Sequence, residues 1–446
     1  MALITLTWLV TAVSASAQDA FTVTVTLKSG KHAHTNNPIC IPLSLPARVA
    51  QANEKYGNLA TIRWGKKNLI GQLTAPGLTT EHIKPKNKDM VRRDLHFMLP
   101  ELAVGATKEV ECVIRTTESK EGVLRLQWTR GGTSTPYLRG ESGKRPLLLY
   151  MGEPYDPSTP DTRNRTYKVF HHMFSPGSDV RLTNGGYADV KIGDTAGEKK
   201  LLYPHHRGLM FGFNRITYDG NKKADTWHCR GDDYVKHVKT LSTEEGPVLG
   251  RHRVLIDWHG SEKDVFAKEE RELTAYNLGV FGRYGKGTMV EFASRLKTTG
   301  GPVKLDGDPQ HAGFQFRAAN EVAEKHKNKT YFLRVNSKGE PGATINWSGK
   351  NPPKGTVDVP WKAMSFVVGN KRYTVAYLDH PRNPGEARHS ERNYGRFGYY
   401  FQYELTKDNP LLVNYRIWLQ NGEMTREEVE GLSQEFVSPP EVSVKY

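Results

Sequence analysis

The sequence predicts an all-β protein in which a large two-sheet sandwich follows a small β module. Three observations predict this class. First, the 42 glycines and 25 prolines are scattered rather than periodic, and 20 tyrosines and 8 tryptophans favour strands. Second, apolar and polar residues alternate with period two in many short segments. Third, a good helical pattern occurs once, near the C-terminus. We therefore expect antiparallel sheets with many turns rather than a helical bundle or a coiled coil.

The first 17 residues are predicted to be a cleaved secretion signal. They carry no charge, are apolar from Ala2 to Val13, and end in Ala-Ser-Ala at residues 15–17, the small-x-small form of a signal-peptidase site. A buried first strand is the alternative interpretation. No later stretch approaches the ~20 apolar residues of a spanning helix. We therefore expect an exported protein, periplasmic or extracellular, without a membrane span.

Residues 18–120 are predicted to form the small N-terminal β-sandwich module. Period-two alternation indicates strands at Phe21–Leu27, Asn58–Trp64 and Lys108–Arg115. Cys40 and Cys112 both lie in this module, and their spacing does not decide whether they pair. Such a pair would leave Cys229 as a free thiol.

Residues 121–446 are predicted to form the large β-sandwich domain. Turn residues bound its strand-like segments, which are Arg251–Gly260, Thr288–Leu296, Tyr331–Val335, Met364–Gly369, Tyr373–Leu378, Tyr399–Leu405 and Leu411–Leu419. Many long strands in one region favour a single large sandwich over a string of small modules. The predicted helix begins after Thr425, which forms a capping box with Glu428, and ends before Pro439.

The chain is basic, with 63 Lys and Arg against 48 Asp and Glu and a formal net charge of +15. For an exported protein, this excess indicates an acidic partner such as an acidic polysaccharide, anionic lipid headgroups or wall polymers. A solubility role is the equal alternative. No dense basic block or aromatic-interleaved RNA signature is present, so nucleic acid is not an expected partner.

The densest group of chemically active side chains lies in Tyr203–Asn214 and Asp225–Cys229. These segments supply His205, His206, Arg207, Trp227 and His228. Arg holds anions bidentately, Trp stacks on a sugar face and His transfers protons near neutral pH, so we expect a sugar or carboxylate site. If residues 203–208 were extended, the two adjacent histidines would point to opposite faces and only one would reach a pocket.

Two further segments carry candidate residues. Within Gln310–Asn320, His311 and Arg317 are six residues apart, about 20 Å on a regular strand, so they are expected to share a groove but not one catalytic atom. The polar, basic loop Leu378–Phe401 follows a strand, and such loops on a β scaffold often carry function. It supplies Asp379, His380, Arg388, Tyr394 and Arg396. A solvated basic loop is the alternative.

The residue types predict proton-transfer chemistry. Such chemistry needs a base whose pKa is near neutral pH and a cation that stabilises the developing enolate. The predicted catalytic residues are His206, His380, Tyr394 and Asp379, with His206 first. The predicted substrate-binding residues are His205, Arg207, Trp227, His228, His311, Arg317, Arg388 and Arg396. We expect the guanidinium of Arg207 to keep the imidazole of His206 neutral, whereas a core histidine is the alternative.

Recognised cofactor motifs are missing from the sequence. The 16 histidines invite a metal interpretation, yet no HExxH, EF-hand loop, CxxC pair or compact facial triad is present. We therefore predict no cofactor and expect any metal to be dispensable. No GxSxG elbow, P-loop or GxGxxG after a strand is present either, which argues against serine hydrolase, kinase and nucleotide-cofactor chemistry.

The motifs YPHHRGLMFGFN, DTWHC, FQFRAAN and YLDHPRNP followed by YGRFG occur in this order. Together, over roughly residues 140–420, they resemble a bacterial family labelled PmoA or "methane oxygenase", a domain of unknown function. The resemblance implies an exported β-sandwich similar to the mutarotase and polysaccharide-lyase supersandwich, acting on carbohydrate. Because the chain has no spanning helix, the methane label itself fits poorly.

Three functions follow as hypotheses. The first is a carbohydrate-active enzyme with lyase-like, epimerase-like or glycosidic cleavage chemistry; for a two-carboxylate hydrolase, Asp225 and Asp379 are the only good pair. The second is a non-catalytic glycan-binding or surface protein. The third is a metal-dependent oxygenase, which needs at least three histidines around one ion.

Overall fold

A computed structural model describes residues 20–118, 125–130, 136–139, 146–185, 202–278, 287–308, 310–345 and 355–446. The predicted secretion signal lies outside these ranges. Within them, no helix combines the length and apolar character needed to cross a membrane. The described chain is built from antiparallel sheets, and the predicted all-β sandwich class is confirmed.

The N-terminal module is one seven-stranded sheet with a short helix. Its elements are β1 (Ala20–Lys28), β2 (His34–Pro46), α1 (Ala47–Lys55), β3 (Leu59–Trp64), β4 (Lys67–Thr74), β5 (Met90–Leu102), β6 (Thr107–Arg115) and the last strand of the chain, β28 (Glu441–Lys445). The strand order is β2-β5-β4-β3-β6-β1-β28. The backbone N–H of Ser44 on edge strand β2 donates to the Tyr446 hydroxyl at 2.7 Å, so the sheet curls until its two edges meet.

The three strands predicted in this module are confirmed as β1, β3 and β6. The C-terminal strand joins the same sheet, because Glu441–Lys445 pairs with β1. A division of the chain at residue 120 therefore does not separate the strands of the N-terminal sheet from those of the large domain, because β28 lies beyond that point. Cys112 is buried in the core of the curled sheet, whereas Cys40 faces the large domain, and both thiols are free.

The large domain contains three sheets. The nine-stranded sheet consists of β14 (Tyr234–Glu244), β15 (Leu249–His259), β16 (Val265–Tyr276), β17 (Gly287–Thr298), β20 (Tyr331–Arg334), β21 (Ser337–Lys338), β22 (Trp361–Val368), β23 (Lys371–Asp379) and β27 (Leu411–Asn421). The eight-stranded sheet consists of β7 (Gln127–Arg130), β8 (Pro136–Arg139), β9 (Pro146–Met151), β10 (Phe170–Met173), β11 (Leu209–Phe213), β19 (Ala312–Arg317), β24 (Arg388–Arg392) and β25 (Arg396–Tyr400). The four-stranded sheet consists of β12 (Arg215–Tyr218), β13 (Lys222–Ala224), β18 (Val303–Asp306) and β26 (Tyr403–Leu405).

The nine- and eight-stranded sheets pack face to face around the main core. Phe314 of β19 stacks on Phe292 of β17 with ring centroids 4.0 Å apart, and alternate side chains along each strand enter this core. The predicted continuous strand Tyr399–Leu405 is wrong. The chain leaves the eight-stranded sheet after Tyr400 and enters the four-stranded sheet at Tyr403, so a single alternating segment serves two sheets at a corner of the sandwich.

The helices of the large domain are α2 (Pro160–Thr166), a π-helix at Val322–His326, a 3-10 turn at Lys327–Lys329 and α3 (Arg426–Val437). The predicted capping box of α3 is confirmed: Thr425 Oγ1 accepts from the Glu428 N–H at 3.1 Å, and Glu428 Oε2 accepts from the Thr425 N–H at 2.8 Å. Helices α1 and α2 were not predicted. The first begins at Pro46 without a side-chain cap, and the second has only seven residues.

The N-terminal module docks on the outer face of the nine-stranded sheet. Gln72 Oε1 accepts from the backbone N–H groups of Val248 and Leu249 at 3.0 and 2.9 Å. A cavity of about 60 Å³, called the module cavity below, lies at this junction and is lined by Cys40, Asp94, His96, Arg251 and Glu272 among others.

The outer face of the eight-stranded sheet carries polar side chains. Alternation turns Phe397 into the core and Arg396 outward, and this outward face carries the candidate site.

Candidate metal centre

Four imidazoles from three separate segments meet over the eight-stranded sheet. This histidine cluster consists of His205, His206, His228 and His311. Ring centroids are 4.3 Å apart for His205 and His206, 4.7 Å for His205 and His228, and 4.8 Å for His228 and His311. Donor atoms of His205, His206 and His311 all lie within 4.8 Å of one another. Three of the four sequence motifs are therefore assembled at one point.

The backbone at residues 203–208 explains how two adjacent histidines reach one site. The segment is a turn rather than a strand, since the N–H of His206 donates to the carbonyl oxygen of Tyr203 at 3.0 Å. Gly208 closes the turn with φ of +36°, and a Cβ there would lie 2.1 Å from the carbonyl oxygen of His171. The alternation argument for opposite faces thus does not apply, because it requires an extended backbone.

A buried lysine ties two of the ligand-bearing segments together. The ammonium group of Lys168 donates to the carbonyl oxygen of His205 at 2.9 Å and to that of Trp227. Burial lowers the pKa of Lys168 to about 8. Two carbonyl contacts from one side chain fix the distance between the turn at residues 203–208 and the loop at residues 225–229.

Two carboxylates orient two of the imidazoles. Asp225 Oδ2 accepts from His228 Nδ1 at 2.8 Å, and Asp308 Oδ1 accepts from His311 Nδ1 at 3.0 Å. Burial raises the pKa of each carboxyl, but the hydrogen bonds with the histidines outweigh it and hold both pKa values below normal. An ionised carboxylate only accepts, so each Nδ1 carries a proton, and in the neutral imidazole Nε2 is then the atom that can bind a metal. Carboxylate–histidine pairs of this kind orient metal ligands.

The other two histidines are held neutral. Burial, with Lys168 as the nearest cation, lowers the pKa of His205 to about 2. Burial together with Arg396 lowers the pKa of His206 well below its usual value. Nε2 of His205 and Nδ1 of His206 are buried and have no hydrogen-bond partner among the described residues. A buried polar atom without a partner costs about 1–3 kcal/mol, so a ligand bound by these two nitrogens would remove that cost.

The cluster fits a divalent transition-metal ion. Neutral imidazole is the ligand that Zn, Cu, Fe and Ni share. Two nitrogens bound to one tetrahedral ion lie roughly 3.3 Å apart. The donor atoms here lie within 4.8 Å of one another, so they need to approach by at most about 1.5 Å more, a shift that changes in side-chain rotamer would give.

Aromatic and basic side chains surround the cluster on its open side. Tyr203 is 45% exposed and stacks on Tyr394 with ring centroids 4.4 Å apart, and Tyr394 lies 6.0 Å from the ring of His206. The guanidinium of Arg317 lies 5.0 Å from the Tyr394 ring and donates to the Tyr394 carbonyl oxygen. Arg396 donates to Gln315 Oε1 at 2.9 Å. The two arginines therefore position the turn and strand around the cluster.

Two residues expected to bind substrate have other contacts. Trp227 is fully buried, with its ring edge toward His206 at 5.5 Å, so it has no face open to a sugar. Arg207 is also fully buried and donates to the carbonyl oxygens of Pro204 and Asn164 at 2.9 and 2.6 Å. The expectation that Arg207 keeps His206 neutral is not what the structure shows, because the cations that lower the pKa of His206 are Arg396 and Arg317.

Asp379, His380 and Arg388 lie elsewhere. His380 packs against the ring of Phe436 on α3 at 5.3 Å, and burial lowers its pKa to about 4. Asp379 accepts from Asn383 Nδ2 at 2.6 Å, and burial raises its pKa to about 7. Arg388 contacts Glu386 at 3.4 Å. The guanidinium of Arg388 also lies over the ring of Tyr400 at 5.6 Å, and Asp379 and His380 contact the loop at residues 379–383 and α3 rather than the turn at residues 203–208.

Sequence reasoning missed Asp308 and Lys168, and it considered Asp225 only as half of a hydrolase pair. A signal for the carboxylates was present. Both orienting pairs have the form Asp-x-x-His, at Asp225–His228 and Asp308–His311. In both, Asp Oδ1 also accepts a backbone N–H two residues on, from Trp227 at 3.0 Å and Gln310 at 2.9 Å. Lys168 had no such signal, because its partners lie 37 and 59 residues away.

The fold and the site together define an all-β sandwich protein with a histidine-rich centre on the outer face of one sheet. Residues 138–434 match the profile of a family of unknown function (DUF6807), and the chain belongs to this family. The matched region contains all four histidines of the cluster and both orienting aspartates. No curated protein matches the chain.

Proposed function

We propose that this protein is an exported metal-dependent enzyme that acts on a carbohydrate at the histidine cluster. The observation that carries the metal centre is the meeting of His205, His206 and His311, with donor atoms within 4.8 Å of one another. A bound ion would act as a Lewis acid or lower the pKa of a water molecule. The protein's own groups hold the ligands: Asp225 and Asp308 fix two tautomers, and Lys168 joins the loops.

Proton transfer by His206 without a metal is the competing mechanism. It requires an imidazole with access to substrate, whereas His206 is 1% exposed and lies behind the rings of His205, His311 and Tyr394. It also leaves two buried ring nitrogens without a partner. A metal centre uses the convergence of His205, His206 and His311 and does not need His206 to reach the substrate, so the geometry supports it better.

Carbohydrate as the substrate and export of the chain are supported by other observations. The stacked pair of Tyr203 and Tyr394 offers an aromatic surface beside the cluster, and aromatic rings suit the apolar face of a sugar. The uncharged N-terminal segment, and the resemblance of the motif order to the PmoA-labelled family, support an exported carbohydrate-active protein. A non-catalytic glycan-binding protein is the alternative.

Metal titration tests the centre. Full-length mature protein is stripped with a chelator and titrated with Zn²⁺, Cu²⁺, Mn²⁺ and Fe²⁺, with calorimetry and elemental analysis as readouts. We expect one tightly bound ion per chain. His311→Ala, whose side chain is a quarter exposed, should remain folded and lose at least about 100-fold in affinity. Absence of stoichiometric binding, or unchanged affinity in His311→Ala, would overturn the metal centre.

Two histidine variants serve as matched controls. His82→Ala removes an exposed imidazole from the N-terminal module, and His380→Ala removes the imidazole that packs on Phe436. Both should bind the ion like the wild type. Turnover of an oligosaccharide panel, lost on chelation and restored by the ion, supports the enzyme. Tight metal binding without turnover would instead favour a glycan-binding protein, and turnover lost in His380→Ala would return that residue to the catalytic candidates.

A metal-dependent oxygenase is the second candidate. Such an oxygenase requires at least three histidines around one ion, and the donor atoms of His205, His206 and His311 lie close to one another. The identity of the bound ion separates the candidates, because oxygen chemistry needs a redox-active metal. Preference for Zn²⁺ would favour hydrolytic or lyase chemistry, whereas Cu or Fe with oxygen uptake on a sugar substrate would favour the oxygenase.

A further inference from the structure

An open cleft of about 530 Å³ lies on the four-stranded sheet. Residues of β12, β13 and β18 line it, together with Asn214, Asp225 and Asp233. No histidine of the cluster lines the cleft, yet the two sites share a wall. Asp225 orients His228 on one side of that wall, and Asn214 donates to Asp308 at 2.8 Å. The cleft is large enough for a small oligosaccharide.

A buried carboxylate oxygen in this cleft has no partner. Asp233 is 8% exposed, and its Oδ2 accepts from the Asp225 N–H at 2.7 Å. Its Oδ1 is buried and has no hydrogen-bond partner among the described residues. Asp233 lines the cleft, so a ligand with a hydroxyl donor would satisfy this oxygen.

Two exposed lysines form a row across the cleft. In the sheet register, Thr217 lies opposite Lys223 on one side and Lys304 on the other. Strand spacing puts the two lysines roughly 9.5 Å apart along the row, about the length of two sugar rings. Lys223 donates to Thr217 Oγ1 at 2.8 Å, and Lys304 has no ion-pair partner within the described part of the chain. Arg215 is already engaged by Asp306.

These features define one class of ligand. We propose that the cleft binds an acidic oligosaccharide, with Lys223 and Lys304 holding its carboxylates or sulfates and Asp233 accepting a hydroxyl. This inference rests on the proposed function in taking carbohydrate as the ligand, and it adds the acidic class and a binding site outside the histidine cluster. The net charge of +15 favours approach of such an anion.

A nucleic acid fits the cleft less well. No aromatic side chain lines it to stack on a base. The carboxylates of Asp225, Asp233 and Asp306 accept hydrogen bonds, and sugar hydroxyls supply donors for them whereas phosphodiester groups do not. A glycan with hydroxyls between separated acidic groups matches both the lysines and the carboxylates.

Binding of a uronic acid trisaccharide, measured by calorimetry against a neutral trisaccharide, tests this proposal. We expect the uronate to bind more tightly, with affinity falling as salt increases. The double variant Lys223→Ala, Lys304→Ala should weaken uronate binding by about tenfold and leave the neutral sugar unchanged. Asp233→Asn should weaken both sugars by about fivefold. The matched control Lys236→Ala, Lys239→Ala removes two exposed lysines from β14 and should bind like the wild type.

The same titration in His311→Ala separates this proposal from the metal centre. We expect that variant to keep uronate binding, because the cleft contains no residue of the histidine cluster. Equal affinity of wild type and the Lys223, Lys304 variant would overturn the cleft whatever the metal result. Tighter binding of a single-stranded oligonucleotide than of the uronate would also overturn it, in favour of nucleic acid.

Discussion

Two regions of this molecule each bring three metal-type donors within 4.8 Å of one another. One is the triple His205, His206 and His311. The other, called the module group, is Cys40, Asp94 and His96 beside the module cavity. The difference lies in which donor atoms the protein already uses. Proximity of donors therefore does not define a metal site, since a ligand atom must also have a free lone pair.

In the module group, the carboxylate and one imidazole nitrogen already have partners. Asp94 accepts from Arg92 Nη2 at 3.0 Å, from the Gly77 N–H at 3.2 Å and from the Thr80 hydroxyl. His96 Nε2 lies 3.1 Å from Thr74 Oγ1. Burial raises the pKa of Cys40 well above its usual value, and a neutral thiol is a poor metal ligand. Nδ1 of His96 is buried without a hydrogen-bond partner among the described residues, as are Nε2 of His205 and Nδ1 of His206. The two regions therefore differ in the engaged carboxylate of Asp94 and the neutral thiol of Cys40, for which the histidine cluster has only imidazoles.

The largest expected effect tests the structural role of the module group. Asp94→Ala leaves the buried guanidinium of Arg92 without its carboxylate. We expect the free energy of unfolding to fall by about 3–5 kcal/mol. Urea denaturation measures it, and metal content should not change. Cys40→Ala, in the same group but facing the cavity, should stay within about 1 kcal/mol of the wild type. Loss of a bound ion in either variant would move the metal site to the module group.

The second prediction uses pH. Burial raises the pKa of Asp379 from 3.8 to about 7 in the folded protein. Between pH 4 and 7 the folded chain keeps this proton while the unfolded chain releases it, so the free energy of unfolding falls as pH rises and levels off above pH 7. The loss is up to about 4 kcal/mol.

Asp379→Asn removes that titration. Relative to the wild type, the variant should gain in free energy of unfolding as pH rises from 4 to 7, as urea denaturation at both pH values would show. The exposed Asp408→Asn is the control and should follow the wild-type profile. Parallel profiles for Asp379→Asn and wild type would contradict the buried, protonated carboxyl and would return Asp379 to the list of ionised catalytic candidates.

The third and smallest effect concerns the carboxylates that orient His228 and His311. Among the described residues, the module group has no such carboxylate–histidine pair. Asp308→Asn keeps the shape of the side chain but loses the charge that holds the His311 tautomer. We expect metal affinity to fall by 10–100-fold with thermal unfolding of the apo protein little changed. Asp232→Asn, at an exposed carboxylate, should bind metal like the wild type. An unchanged affinity in Asp308→Asn would show that the ion, if bound, does not use His311.

Features that depend on near neighbours were determined by the sequence alone. The alternation of β1, β3 and β6 and the capping box at Thr425 were predicted and are confirmed, because their interactions join residues at most three or four positions apart or follow a fixed period. The two Asp-x-x-His pairs are of the same kind, although their meaning was missed. In each pair, the carboxylate and the imidazole that it orients lie within four consecutive residues, so the hydrogen bond does not depend on distant parts of the chain.

Only the tertiary structure decided which of these local pieces meet. β11 pairs with β19, which sets Phe213 opposite Ala312 and brings the two halves of the histidine cluster together across about a hundred residues. Pairing of β23 with β27 in the other large sheet places Asp379 and His380 near α3. The chain changes sheet between Tyr400 and Tyr403 because β25 pairs with β19 whereas β26 pairs with β18. Alternation shows which face of a strand is apolar but not which of the 28 strands in the described ranges becomes its neighbour, because partner choice depends on packing over the whole sandwich.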